Sequence, residues 1–345
     1  MHIDILIHVC DNLGDMWFAT ELAIHLAHFD EDINFRFYTD DCGALEKFFS
    51  LQKINYPIFS QWLWHHHNHC ETGLFLILFR SDFDISYIES LSIGINTLWI
   101  DYLAFDPEIA MLHGQEHIRS VVDHPIIYIV NSPLGGGLLS SRAVHDLPQD
   151  EEIRIIARQA WQRHLPYILD IDIELSSPIV TIFSYETQKH IQEMNRSDWL
   201  VFGLTPITSP QSLCAWSWML PYISIDQFYT LIDISDVVIV RWEVSLVSTL
   251  QLWTPFYWDM YKGEGGWNTH EFESFLSWMS PSFDACDEGD LFQSYTQSSR
   301  VLNEQWYIGP DDIEILMTEW AKKVFRHAAK CASERSLIKT ILTFV

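Results

Sequence analysis

The sequence predicts an α/β protein of two successive, facing Rossmann-like domains with a closing C-terminal helix, on three observations. A chain of 345 residues is longer than one ordinary hydrophobic core serves. Short apolar runs alternate with amphipathic segments from residue 3 to residue 163, and a second such series starts at residue 179. Between them lies a charged, aspartate-rich connection, Asp170 to Glu174. The expected division is a first domain over 1–160 and a second over 161–345, with the terminal helix allowed to pack back on the first.

Each element has its own signal. In the first series, the alternate positions Ile3, Ile5, Ile7 and Val9 mark a strand over 3–9. Further strands are expected at 33–38, 74–79, 96–100 and 126–130, and helices at 15–28, 43–50 and 150–163. The second series offers strands at 179–184, 199–203, 236–241 and 256–261, with helices at 226–234 and 245–252. From Asp311 to Phe325 and beyond, the pattern reads as one long helix. KGEGGWNTHEFES, residues 262–274, is polar and glycine-containing and reads as a loop open to movement.

Composition narrows the function. With 48% hydrophobic residues and no apolar run of spanning length, the chain is expected to be globular and not membrane-embedded. The N-terminal stretch MHIDILIHVCDNLGD has neither a basic region nor a cleavage site, so it reads as the first strand of a cytoplasmic protein. Six scattered cysteines without a CxxC pair fit reduced thiols. A net charge of −27 argues against nucleic-acid or anionic-membrane partners, because both need a basic surface. Any anion site must be built locally, from backbone N–H groups and one or two arginines.

In open α/β sheets, ligands bind beyond the carboxyl ends of strands. Two expected strand ends carry polar clusters. The first is CDNLGD, where Asp11 and Asp15 bracket Asn12 and Gly14. An Asx-turn and a helix-start aspartate account for these residues as well as a catalytic role does. The second is RWEVS: alternation along an extended segment points Arg241 and Glu243 together and puts Ser245 at the N-cap of the next helix. That reads as an anion site, or as an Arg–Glu ion pair beside an ordinary serine cap. WHHHNHC, residues 64–70, has ligand-like spacing but no acidic residue, and a solvated loop or helix end is preferred over zinc. Asp170 and Asp172 have DxD spacing but lie in the connection.

With both clusters in view, the chain resembles the elongation factor P arginine rhamnosyltransferases, inverting enzymes of the GT-B architecture. Their first strand ends in D-N-F/Y-G-D, matched by Asp11, Asn12, Leu13, Gly14 and Asp15, and their R-G-E-D-S-F-V is matched by Arg241, Glu243, Ser245 and Val247. YTDDCGALEKF (38–48), LWIDYL (98–103), GGGLL (135–139), FSYE (183–186), LPYISIDQFYTLI (220–232) and PFYWDMY (255–261) are similar to further family segments in the same order. The departures are Trp17 for a glycine, Trp242 and Val244 within R-G-E-D-S, and Ser224 and Ile225 for a donor-side P-Q. Lys262, Gly263 and Glu264 replace a further loop, and the acid of W-x-N-x-E-Y-L is read as missing from a shortened segment.

The resemblance implies transfer of L-rhamnose from dTDP-β-L-rhamnose to an arginine of elongation factor P, without cofactor or metal and with no nucleic-acid or membrane partner. It implies Asp15 as general base, Asp11 as its orienting partner and Glu243 as a third catalytic residue that helps place the sugar or acceptor. Substrate binding would fall to Asn12, Gly14, Phe183, Tyr185, Tyr222, Arg241, Val244 and Ser245, with Phe183 and Tyr222 stacking on the base. Phe183 and Tyr222 can equally be core residues. A GT-B enzyme with another acceptor, or a non-catalytic relative, remains the alternative.

Overall fold

A computed structural model of the chain describes residues 2–8, 14–29, 32–39, 59–63, 72–79, 95–116, 125–139, 177–184, 187–194, 199–204, 211–214, 217–220, 223–241, 243–260, 262–263, 266–267, 269–305 and 307–344. It also describes residues 41, 43, 46, 49, 152, 156, 158–160 and 163. The chain divides into two compact units, Met1–Arg142 with Ser333–Val345, and Ala143–Ala332.

The first unit is built on six parallel strands: β1 (His2–Ile7), β2 (Asn34–Thr39), β3 (Phe59–Leu63), β4 (Thr72–Leu78), β5 (Asn96–Ile100) and β6 (Ile126–Ile129). Their spatial order is β3-β2-β1-β4-β5-β6, so the sheet reverses direction between β1 and β4. Helix α1 (Gly14–Phe29) follows β1, and the short α2 (Pro107–Ala110) follows β5. Central parallel strands are covered on both faces, which is why Ile3, Ile5, Leu6 and Ile7 are all buried. Asp4 breaks that run and is fully buried, a position tolerable only with a partner. Its neighbour in register on β2, Arg36, grips both carboxylate oxygens at 2.6 and 3.0 Å.

The second unit repeats the theme. It contains β7 (Ile179–Ile182), α3 (Thr187–Glu193), β8 (Leu200–Leu204), β9 (Gln211–Cys214), β10 (Ser217–Leu220), α4 (Ile225–Ile234), β11 (Val237–Val240), α5 (Glu243–Gln251) and β12 (Phe256–Trp258). The strand order is β12-β11-β7-β8-β10-β9, parallel except for β9 against β10, and it reverses between β7 and β11. Ser224 caps α4 through a reciprocal pair with Gln227: the serine N–H donates to Oε1 at 2.9 Å and the glutamine N–H to Oγ at 3.3 Å. Ser224 and Ile225, which stand where the family that the chain resembles has P-Q, therefore form the cap and first residue of a helix.

Several local expectations need correction. The described residues of 262–274 are not a loop: β13 (Lys262–Gly263) pairs with β14 (Gly266–Trp267), and α6 (Thr269–Asp284) takes in the residues from Thr269 on. Helix α7 (Gly289–Gln305) and strands β3, β9 and β10 are not among the expected elements. The expected long terminal helix is three: α8 (Pro310–Leu316), α9 (Glu319–Ala332) and α10 (Leu337–Leu342). Local caps cut it. The Thr318 hydroxyl accepts the Ala321 N–H at 3.2 Å, and Ser336 caps α10 through the Lys339 N–H. Residues 43, 46, 49, 152, 156, 158–160 and 163 are helical, while the remainder of 43–50 and 150–163 lies outside the described residues.

The final segment returns to the first unit, where Leu337 N–H donates to Leu138 O at 3.1 Å and Thr340 Oγ1 to Gly136 O at 2.8 Å. Gly137 makes this approach possible. Its φ is +94°, and a Cβ there would lie 2.5 Å from Ser336 N. Gly137→Ala is expected to release α10, since the backbone conformation alone costs about 1–2 kcal/mol. Amide exchange should report this as lost protection over 337–344, and unchanged protection would refute it.

Candidate functional site

Both sheets have a point where strand order reverses, and in open α/β sheets ligands bind beyond the strand C-ends at such a point. In the first unit the reversal lies between β1 and β4. The chain leaving β1 enters α1 at Gly14, so Asp15 is the second residue of the helix, 4% exposed. Half-buried Trp17 follows in the same turn. Asp11 and Asn12 lie outside the described residues, as do Tyr185, Tyr222, Trp242, the 64–70 histidine segment and the Asp170–Glu174 connection.

Other groups at this sheet edge were not found in the sequence. A carboxylate does stand in the shortened LWIDYL segment. Asp101 follows β5 directly, accepting from the Tyr128 hydroxyl and, at 2.8 Å, from the Tyr102 N–H. Phe79, just after β4, has φ 65°, an unusual conformation for a bulky residue. Its N–H donates to Ile100 O at 2.7 Å. Its ring stacks on Tyr102 at 4.4 Å between centroids and meets Phe18 of α1 at 4.9 Å. An aromatic row thus links the helix that carries Asp15 to the strand end that carries Asp101. Positive φ at a phenylalanine has no signature in a single sequence.

In the second unit the reversal lies between β7 and β11. Pairing of Ile239 with Ile182 and of Val240 with Trp258 brings Ser184, Arg241 and Asp259 to one level, just past three adjacent strands. Arg241 is 5% exposed, and its Nη1 donates to Asp259 Oδ2 at 2.9 Å. Ser184 Oγ donates to the same oxygen at 2.6 Å. Arg241 thus has an ion-pair partner in Asp259, which sequence reading passed over because it follows a different strand.

Two geometric expectations for RWEVS are corrected. Helix α5 begins at Glu243, so the alternation that was to align Glu243 with Arg241 has already ended there. Ser245 is the third residue of the helix and buried, not its N-cap. Glu243 and half-buried Val244 occupy the first turn, where a carboxylate is favoured by the helix dipole. Phe183 is 1% exposed, with its ring 4.7 Å from that of Phe228. Among the described residues no group of three or more His, Cys, Asp or Glu side chains is arranged to hold a metal ion. None of the described helices is long and apolar enough to cross a membrane.

Comparison with known proteins adds an independent finding. A family model described as Elongation-Factor P (EF-P) rhamnosyltransferase EarP matches residues 3–345. No curated protein matches the chain. Among solved structures it is similar to one described as the structural basis for EarP-mediated arginine glycosylation of translation elongation factor EF-P. That likeness has 16% identity and a TM-score of 0.58, covering 99% of this chain and 98% of the other. At such identity it speaks to the fold alone: α/β, with two Rossmann-like domains of the GT-B kind. A glycosyltransferase from Rickettsia africae ESF-5 aligns at 10% identity and a TM-score of 0.47, covering 99% of this chain and 97% of that one. The glycosyltransferase SnogD from Streptomyces nogalater aligns at 9% and 0.48, covering 99% and 98%.

Proposed function

Because the chain belongs to the EarP family of elongation factor P rhamnosyltransferases, we propose that it transfers L-rhamnose from dTDP-β-L-rhamnose to an arginine of elongation factor P. The observation that carries this reading is the family match over residues 3–345, far more than one nucleotide-binding unit. The acceptor is a translation factor, which places the reaction in the cytoplasm.

Guanidinium is a poor nucleophile because it stays protonated in ordinary surroundings. Carboxylates that grip its planar fork can orient one nitrogen and take its proton as attack proceeds. In the proposed reaction an arginine nitrogen forms the new bond to the anomeric carbon from the face opposite the diphosphate. The anomeric C–O bond breaks with its electron pair leaving on dTDP, and the nitrogen's proton passes to the Asp15 carboxylate. Asp11 orients the acceptor, Asn12 and Gly14 help to bind it, and Glu243 helps to place the sugar or the acceptor. Arg241, Tyr185, Ser245 and the N-terminus of α5, with Val244 in its first turn, hold the departing diphosphate. Phe183 and Tyr222 supply the stacking slot for the base.

Coexpression with elongation factor P and intact-mass measurement tests this. The expected result is a single added deoxyhexose, about 146 Da, mapping to an arginine. Unmodified factor under conditions where a standard family member modifies it would overturn the reading. In the purified reaction, EDTA is expected to leave turnover unchanged, since the proposed groups meet the leaving-group charge without a metal.

A further inference from the structure

We infer that Asp259 is a positioning residue of the donor site, holding the Arg241 guanidinium in the orientation that receives the diphosphate. This rests on the donor-site reading above and extends it to a residue outside the RWEVS cluster.

The case begins with the backbone. Asp259 follows β12 immediately, and its N–H donates to Val240 O at 2.8 Å. Both flanking residues are clamped by the fully buried Asn303 of α7. Its Nδ2 donates to Trp258 O at 2.8 Å, and its Oδ1 accepts the Met260 N–H at 2.8 Å. Two residues earlier, the Tyr257 hydroxyl anchors the strand to Asp312 O at 2.8 Å. The Trp258 indole also donates to Arg241 O at 3.3 Å, tying the backbones of the two strand ends together.

The carboxylate completes the device. Asp259 is 0% exposed, and one oxygen accepts from both Arg241 and Ser184. A buried ion pair is an indifferent stabiliser, because desolvation offsets much of its attraction and apolar residues of similar size often do as well. Its distinctive contribution is direction. A guanidinium is a rigid plane of five N–H donors, so pinning one Nη against an immobile carboxylate limits where the others can point. Ser184 is the second residue after β7, the strand that pairs with β11 at the reversal point. The pair is therefore held from three strand ends where a nucleotide diphosphate would dock.

A thermodynamic cycle on dTDP binding to the full-length protein tests the inference, using Asp259→Leu, Arg241→Ala and the double variant in calorimetry. Asp259→Leu is expected to weaken dTDP binding about tenfold. In the Arg241→Ala background it should cost nothing further, because its effect runs through that side chain. Asp259→Asn, which keeps an acceptor oxygen, should stay within about threefold of wild type. Should Asp259→Leu not fold, Ser184→Ala provides a second cycle, with a loss of about two- to threefold that also vanishes without Arg241. Equal losses in both backgrounds would reduce Asp259 to a structural residue and overturn the inference. So would tighter binding by Asp259→Leu, which would show that the carboxylate merely cancels charge. A wild-type protein that binds no dTDP would sink the donor-site reading itself, a result distinct from an additive cycle.

Discussion

Asp15→Asn is expected to lower turnover on elongation factor P by about 10²–10⁴-fold while leaving dTDP affinity unchanged. The substitution keeps the shape of the side chain and removes only its charge and basicity. Asp15 belongs to the first unit, whereas the groups proposed to hold the nucleotide belong to the second. The magnitude separates two roles for the same residue. A carboxylate that merely begins α1 contributes about 0.3–1 kcal/mol through the helix dipole, and its loss touches stability rather than rate. A general base carries about 2.7–5.5 kcal/mol of the barrier at the fold-losses above. Single-turnover rates with purified acceptor decide the matter, and a loss below tenfold would remove Asp15 from the chemistry.

Arg241→Ala should act twice. Loss of a charged hydrogen bond to the diphosphate weakens dTDP binding by about 1.5–3 kcal/mol. The same substitution leaves the fully buried Asp259 without its ion-pair partner, at a cost of about 3–5 kcal/mol in stability. Arg241→Lys separates the effects. It keeps the charge beside Asp259 and so most of the stability, but it lacks the planar fork and should still bind dTDP more weakly. Calorimetry paired with denaturant unfolding reads both quantities. Equal affinity in wild type and both variants would exclude Arg241 from the donor site.

The division of labour between sequence and structure follows from the range of each interaction. Strand and helix periodicity is local, so the sequence by itself determined two α/β series and most of their elements. The strand at 96–100 was read to the residue, and the helices at 15–28 and 226–234 nearly so. It also determined the family, because short motifs survive in order along the chain. What periodicity could not mark were caps, which depend on single side chains such as Thr318 and divided the expected terminal helix. The start of α5 was equally local, and its place at Glu243 ended the alternation assumed for Arg241 and Glu243 and moved Ser245 inside the helix.

Only the tertiary structure decided who pairs with whom. Arg36 finds Asp4, and Arg241 finds Asp259, because parallel strands set residues from distant stretches side by side. Strand order, and with it the reversal points beyond which Asp15, Ser184 and Arg241 stand, is a property of the assembled sheets. The Phe18–Phe79–Tyr102 row and the left-handed backbone at Phe79 likewise exist only once β4, β5 and α1 are packed. The physical reason is common to all of them. A sequence records what each residue prefers from its neighbours along the chain, whereas a buried charge is satisfied by whatever the fold brings within hydrogen-bonding distance.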